Sequence, residues 1–460
     1  MSDRRSILTW RPGAGRLRWA TSDRAQAVLS DPQGFGNYMT YRDAYRILGW
    51  DPSEIYRDGR IALDRREWAD LGWLANHIGP PPGAVAAMQE AARAEIIGPY
   101  SPDLEADLRS LFADALFDRP RDDSFEVIGT EGAQAGVGYA ALACLDPGDE
   151  VIVTDPGYFH FVPALRLAGA EPVWVRLACT TGWRLDPDVV EAAVTVRTKM
   201  IVVCDPVNPF GTVQRADELL RLLELAARRR IILLSDTTHA AHRVDPEATH
   251  HSLARLAIDV PDAVVLSSSG FAHGYGMAGA RLGALAGPPE LVRACLQVKI
   301  AAVRLNTSAV AHAGARAAIG DTEWLARGEQ IIRRNLEAVA AFAQPVIRPA
   351  YGYSCVLDVG DFGVSAQELT VALCRRKIAV YPGDGLGEVG ALSTIRINLS
   401  DPDPSGIERL SDAWDDAIEE ARSGVYREGV RDFFLRAGTD RGRRFAAQLD
   451  ELHETHPDRV

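Results

Sequence analysis

From about Asp123 to Gly287, short unbroken apolar runs alternate with stretches of helical spacing. Val151-Ile152-Val153, Met200-Ile201-Val202-Val203, Ile231-Ile232-Leu233-Leu234 and Ala263-Val264-Val265-Leu266 read as strands buried on both faces. Between them, segments such as Ala216 to Arg230 repeat their apolar residues with a helical period. This alternation predicts an α/β fold, with a mainly parallel sheet covered by helices on both sides. Ligands of such sheets bind beyond the carboxyl ends of the strands. Further on the rhythm changes. Thr322 to Phe342 predicts a long amphipathic helix, Tyr353 to Val359 a strand, Ser365 to Arg376 a helix and Ser393 to Leu399 a strand. That is a smaller α+β unit. The expected organisation is an N-terminal segment, 1–82, belonging to the small domain, a large domain, 83–320, and the small domain proper, 321–425. Residues 426–460 are charged and helical in pattern, and are expected as a peripheral tail.

Composition narrows the class. The 460 residues are 47% apolar and 25% charged, values of a globular chain long enough for two domains. A net charge of −13 argues against nucleic acid or an anionic membrane as a partner, and a solvated acidic surface explains it. The first residues lack the apolar run of a signal peptide, and no stretch is long enough to span a bilayer. Six scattered cysteines without a Cys-x-x-Cys pair fit reduced thiols, so a cytoplasmic location is expected. Basic residues are almost all arginine, and the only lysines are Lys199, Lys299 and Lys377.

Polar motifs follow the predicted strands. Thr130-Glu131-Gly132-Ala133-Gln134-Ala135-Gly136 follows the strand-like Phe125 to Ile128 and opens a helix, where backbone N–H groups can hold a phosphate. Asp155-Pro156-Gly157-Tyr158, Asp205-Pro206-Val207-Asn208-Pro209-Phe210-Gly211-Thr212 and Ser235-Asp236-Thr237-Thr238-His239 follow the next strands. Taken singly, a glycine turn or a buried tyrosine explains several of these equally well. Ser267-Ser268-Ser269-Gly270-Phe271-Ala272-His273-Gly274-Tyr275-Gly276-Met277-Ala278-Gly279-Ala280-Arg281-Leu282-Gly283 and, near the end, Tyr381-Pro382-Gly383 and Arg396-Ile397-Asn398 complete the series.

In order and spacing, from about Gly79 to Leu399, these motifs resemble the class I/II aminotransferases, which are fold-type I pyridoxal-phosphate (PLP) enzymes. The resemblance implies that Gly132, Ala133 and Gln134 form the phosphate loop, with Arg281 clamping the phosphate. It implies that Tyr158 covers one face of the cofactor ring, Asn208 and His239 reach its phenolic oxygen, and Asp236 pairs with its ring nitrogen. Arg396 would bind the α-carboxylate of an amino-acid or keto-acid substrate, with Asn208 close by. The chain departs from the pattern at Asp205 and His239, and at Gly270, where a serine is usual. Ser269 is a candidate to replace that serine. Tyr100 resembles the tyrosine that reaches a partner subunit's phosphate, although its spacing to Leu108-Arg109 is short. The resemblance also implies a homodimer, with Arg304-Leu305-Asn306-Thr307 approaching the neighbour's site. Residues Gly34 to Tyr41 are expected to contact the substrate side chain.

His273 is the largest departure. Counting back eight positions from Arg281, the family places the lysine that forms a Schiff base with PLP. An imidazole can move protons but cannot form that bond. A group of PLP-fold sugar dehydratases also carries histidine there and works through pyridoxamine phosphate (PMP). The resemblance to those is confined to this position. Two readings stay open. In one, PLP or PMP is held without a covalent bond, and His273, with Asp236 and Tyr158, does catalysis of a transamination, elimination or dehydration type. In the other, the chain is a silent aminotransferase-like subunit or ligand-binding protein, and His273 is filler.

Overall fold

The computed structural model describes residues 21–30, 38–51, 63–436 and 438–454. The large domain is built on seven strands: β1 (Glu126–Thr130), β2 (Glu150–Asp155), β3 (Glu171–Arg176), β4 (Thr198–Cys204), β5 (Ile232–Asp236), β6 (Val264–Gly270) and β7 (Gly283–Gly287). Their spatial order is β1-β7-β6-β5-β4-β2-β3, and only β7 runs antiparallel to its neighbours. Within each strand, alternate side chains feed different cores. Val151, Val153, Met200, Val202 and Leu234 pack on one face with Val137, Leu165 and Val292 from helices Ala133–Cys144, Phe161–Ala168 and Pro289–Val303. Ile152, Ile201, Val203 and Leu233 pack on the other with Leu219, Leu222 and Leu223 of helix Ala216–Arg229. Two covered faces explain why the strands read as unbroken apolar runs.

The small domain holds an antiparallel sheet of β8 (Ser354–Asp358), β9 (Tyr381–Pro382) and β10 (Thr394–Asn398), in the order β9-β10-β8. The N-terminal segment joins it: Ala69 and Asp70 pair with Ile378 and Ala379, and Met39, Tyr41, Tyr45, Trp68 and Leu71 enter its core. Helix Thr322–Ala340 ties the domains together. Trp324 packs in the large domain, while Ile332, Leu336 and Val339 pack in the small one.

Residues beyond 426 differ from the peripheral tail expected. Helices Arg427–Arg436 and Asp440–Glu454 bury Val430, Phe433, Phe434, Phe445 and Leu449 in the small-domain core. Arg441 donates to the carbonyls of Asp384 (2.7 Å) and Gly387 (2.8 Å), so the tail grips the loop after β9. The charged surface of these helices hid a buried stripe. Among the described residues, no helix is long and apolar enough to cross a membrane.

Candidate active site

Five strands of the large sheet end on one edge, and each delivers a motif to it. β1 leads to Gly132, β2 to Tyr158, β4 to Asn208, β5 to His239 and β6 to His273. Together with Arg281 these residues wall a cavity of about 610 Å³.

One end of the cavity is built for an anion. Gly132 (φ 97°) turns the chain into helix Ala133–Cys144, and the N–H groups of Ala133 and Gln134 have no acceptor among the described residues. Arg281, held at φ 50°, donates to the carbonyls of Glu131 (2.8 Å) and Ala278 (3.3 Å). A Cβ on Gly132 would crowd that guanidinium at 3.0 Å, and the turn's φ of 97° is itself one that side-chain-bearing residues rarely adopt. Two N–H groups at a helix start without acceptors among the described residues, beside a fixed arginine, are an arrangement that can hold an anion such as a phosphate. Gly270 has a packing reason, since a Cβ there would sit 3.1 Å from Ala133 N. Ser269 is buried but does not line the cradle, so the structure does not bring it in as a substitute phosphate ligand. Ser268 instead donates to Ala133 O (2.9 Å) and anchors the helix start.

At the other end Asp236 closes β5. Its Oδ1 accepts from the N–H (2.9 Å) and hydroxyl of Thr238, and Oδ2 has no protein partner among the described residues. Burial pushes its carboxyl pKa up, a cost that a cationic ring nitrogen would offset. Asn208 Nδ2 lies 3.5 Å from His239 Nε2, and Asn208 Oδ1 is buried without a partner. Burial, followed by the nearby His273 and Arg396, pushes the His239 imidazole well down, so it is neutral. Tyr158, buttressed edge-on by Phe161 at 5.1 Å, forms a further wall. The unpaired amides, carboxylate oxygen and asparagine oxygen fit a ring that carries a phosphate, a basic nitrogen and a phenolic oxygen.

A second cavity adjoins the first and shares Tyr158, Asn208 and His273 with it. Its remaining walls include Tyr38, Trp73, Phe159, Tyr381, Leu386 and Arg396. Arg396 lies on β10 beside Tyr381, with its guanidinium carbon 4.4 Å from that ring's centre. It is only 5% exposed, donates to Gly72 O (3.2 Å), has its Nε unsatisfied, and meets no carboxylate among the described residues. Of the stretch from Gly34 to Tyr41, Tyr38 lines this cavity, and residues 34–37 lie outside the described residues.

His273 sits on the shared wall, in the turn of helix Phe271–Gly274. Its Nδ1 is 2.5 Å from Tyr353 Oη, and its carbonyl accepts from Asn76 Nδ2 (2.7 Å). Its ring centre is 4.9 Å from that of His239. Burial, followed by Arg396 and Arg281, pushes its pKa down to about 4.

None of the three lysines lines either cavity. Lys299 is fully buried, bonded to Asp103 Oδ1 (2.6 Å) and Gly129 O (2.8 Å). Lys377 donates to Tyr45 Oη (3.1 Å) among Trp50 and Trp68 in the small domain. Lys199 is exposed on β4, whose other end faces the cradle. Borohydride treatment of PLP-loaded protein, followed by peptide mass mapping, should therefore leave all three lysines unmodified. A phosphopyridoxyl group on Lys299, the lysine nearest the phosphate loop, would overturn that expectation.

Tyr100 is 86% exposed and lies outside its own chain's cradle. Its loop is tied to the 304–307 segment, with Ser101 donating to Thr307 O and Asn306 donating to Ser101 O. The two segments expected to face a neighbour are thus side by side. Sequence reasoning missed Asn76, Trp73 and Tyr353. They lie far from the strand-end motifs, in a non-regular segment and just before a strand, and carry no local signal.

Open helix-start amides beside an arginine, a buried acid at a strand end and a buried guanidinium without an acidic partner among the described residues surround one parallel-sheet edge, an arrangement suited to a cofactor-dependent enzyme of fold-type I. The family model for aminotransferase class I and II matches residues 70–413, and the chain belongs to that family, whose members use PLP or PMP. It is 26% identical over 380 residues to an aspartate aminotransferase of Pyrococcus abyssi, covering 79% of this chain and 94% of the relative. It is 30% identical over 305 residues to an aspartate aminotransferase of Streptomyces avermitilis, covering 63% and 74% respectively. Among solved structures, a double mutant of the Thermus thermophilus aspartate aminotransferase matches with a TM-score of 0.72 at 24% identity, covering 86% of this chain and 99% of that one. The N-succinyldiaminopimelate aminotransferase of Mycobacterium tuberculosis matches at 0.70, with 24% identity and coverage of 85% and 99%. These structural likenesses carry the fold.

Proposed function

We propose that this protein is a PLP- or PMP-dependent enzyme that acts on an α-amino acid or keto acid through its carboxylate, with His273 as the acid/base group. The observation that carries this reading is Arg396. A buried guanidinium without an acidic partner among the described residues is costly to keep, and it borders the cavity that shares a wall with the cradle. A carboxylate ligand is what would offset that cost.

When bound, the cofactor supplies an electron sink for the charge that develops at the α-carbon. The Ala133 and Gln134 N–H groups and Arg281 would hold its phosphate, Asp236 its ring nitrogen, Asn208 and His239 its phenolic oxygen, and Tyr158 one face. Arg396 orients the substrate by its carboxylate. His273, on the wall common to both cavities, takes the α-proton and delivers it again. The apolar walls around Phe159, Tyr381 and Leu386 exclude water from that exchange.

Burial first, and then the charge of Arg396 and Arg281, weakens His273 as a base in the free protein. A carboxylate on Arg396 cancels part of that field, so the imidazole gains basicity as substrate arrives. The acid limb of kcat/KM, which reports the free protein, should therefore fall as pH drops through about 4 rather than through the ordinary histidine value of ~6.5. Below that pH the imidazole is protonated and cannot accept the α-proton. An acid limb centred near 6.5 would contradict the assignment.

The proton step is common to transamination, elimination and dehydration. Protein loaded with PLP or PMP, offered a panel of amino and keto acids, should convert at least one, with the product read by mass spectrometry. No conversion across the panel favours a silent subunit, a reading motivated by the absent lysine. We also assign the working form as a homodimer in the cytoplasm. Exposed Ile97, Tyr100, Val303 and Leu305 offer an apolar surface for a second copy, and the cysteines are unpaired.

A further inference from the structure

We propose that Tyr353 is a positioning residue, which holds the His273 imidazole in the tautomer protonated at Nδ1 and so leaves the Nε2 lone pair as the base. This rests on the reading of His273 as the acid/base group, but the tautomer can be measured without any turnover.

A short chain of buried atoms, from Leu74 O through Tyr353 Oη to His273 Nδ1, shares its protons in a fixed order. Tyr353 is 1% exposed and stands just before β8, so its backbone is set by the small-domain sheet. Its Oη lies 3.1 Å from Leu74 O and 2.5 Å from His273 Nδ1. Leu74 O is a carbonyl that can only accept; it takes the phenolic proton and also lies within hydrogen-bond reach of the imidazole, so both neighbours of Nδ1 favour a proton on that nitrogen. The phenolic oxygen is then an acceptor, and the atom facing it must carry a proton. That atom is Nδ1. The opposite arrangement, with the phenol donating to Nδ1, would strip Leu74 O of the tyrosine proton and place the imidazole proton on Nε2. A ring protonated at Nε2 could not take a proton from substrate there.

The rest of the surroundings hold the ring in place. Asn76 donates to the His273 carbonyl, and its own Oδ1 accepts from Ile78 N (3.1 Å). The Leu74 carbonyl belongs to the same 72–78 segment, whose backbone is further fixed by Asn398 donating to Trp73 O and Ala75 O (both 2.8 Å). The acceptor at the end of the chain is therefore clamped by β10, the strand that also carries Arg396. The charged and titratable groups around the imidazole are Arg396, Arg281 and His239, with His242 behind Tyr353. Burial first, and then both arginines, disfavour a second proton on the ring, so it stays neutral, and its tautomer is what the site controls.

The test is nitrogen NMR on full-length protein labelled with 15N-histidine, with the His273 signals assigned by their loss in His273→Ala. In wild-type protein at neutral pH, Nδ1 should show the shift of a protonated ring nitrogen and Nε2 that of an unprotonated one. In Tyr353→Phe, the two shifts should move toward each other as the tautomers mix. The same variant, loaded with cofactor, should exchange the substrate α-proton about 10- to 100-fold more slowly at unchanged KM, part of the ~10²–10⁴ that a general base contributes. A proton on Nε2 in the wild-type protein overturns the proposal, whether or not the variant folds, and so do shifts unchanged in Tyr353→Phe. If the tautomer is as stated and no α-proton exchanges, the positioning stands and the acid/base reading of His273 fails.

Discussion

Arg396→Ala should weaken binding of amino-acid and keto-acid carboxylates by about 2–5 kcal/mol, roughly 30-fold to several-thousand-fold, while the cofactor remains bound. The guanidinium is buried, has no acidic partner among the described residues and lines the second cavity, not the one bounded by Gly132 and Arg281. Its loss removes the only cation among the described residues that line that cavity. Titration calorimetry of PMP-loaded protein with keto acids reads the effect directly. Normal carboxylate affinity in the variant would remove Arg396 from the substrate site.

His273→Ala should lower turnover by about 10²–10⁴ with cofactor affinity retained. The ring borders both cavities and is the titratable group common to them that can accept a proton near neutral pH, since burial holds the Tyr158 phenol far above its usual range. His273→Lys is the informative companion. It restores a primary amine at the family's usual position, and the PLP-loaded protein should turn yellow and become sensitive to borohydride. A colourless His273→Lys protein would mean that the cradle does not present the cofactor to this position.

Most of the large domain was legible because its strands are covered on both faces. Val151-Ile152-Val153 and Met200 to Val203 stand out for that reason, and their structural limits differ by only a few residues. β3 lies at the sheet edge with a largely uncovered pattern, and β7 is Gly-Ala-Leu-Ala-Gly, too small in its side chains to signal a strand. The tail differs from the sequence expectation because its charged residues outnumber the few apolar ones, Val430, Phe433, Phe434 and Phe445, that enter the small-domain core. At the site, residues that follow strand ends were visible because chain order and the parallel sheet bring them together. Ser269 was not resolvable in this way. Residues 268, 269 and 270 differ in which face of β6 they serve, and only Gly270 reaches the cradle. Tyr38, Trp73 and Tyr353 come to the site through pairing between the N-terminal segment and the small domain. Such pairing is a long-range event without a local sequence pattern.

The central claim is that an imidazole moves the α-proton in a site without a reactive lysine. Washout of α-deuterium tests it most directly. Wild-type protein loaded with PLP or PMP is incubated with α-deuterated amino acids in ordinary water, and the label is followed by NMR. The account predicts washout from at least one amino acid, with cofactor that leaves on dialysis and no modified lysine. Retention of deuterium in every amino acid offered, by protein shown to hold the cofactor, would contradict it.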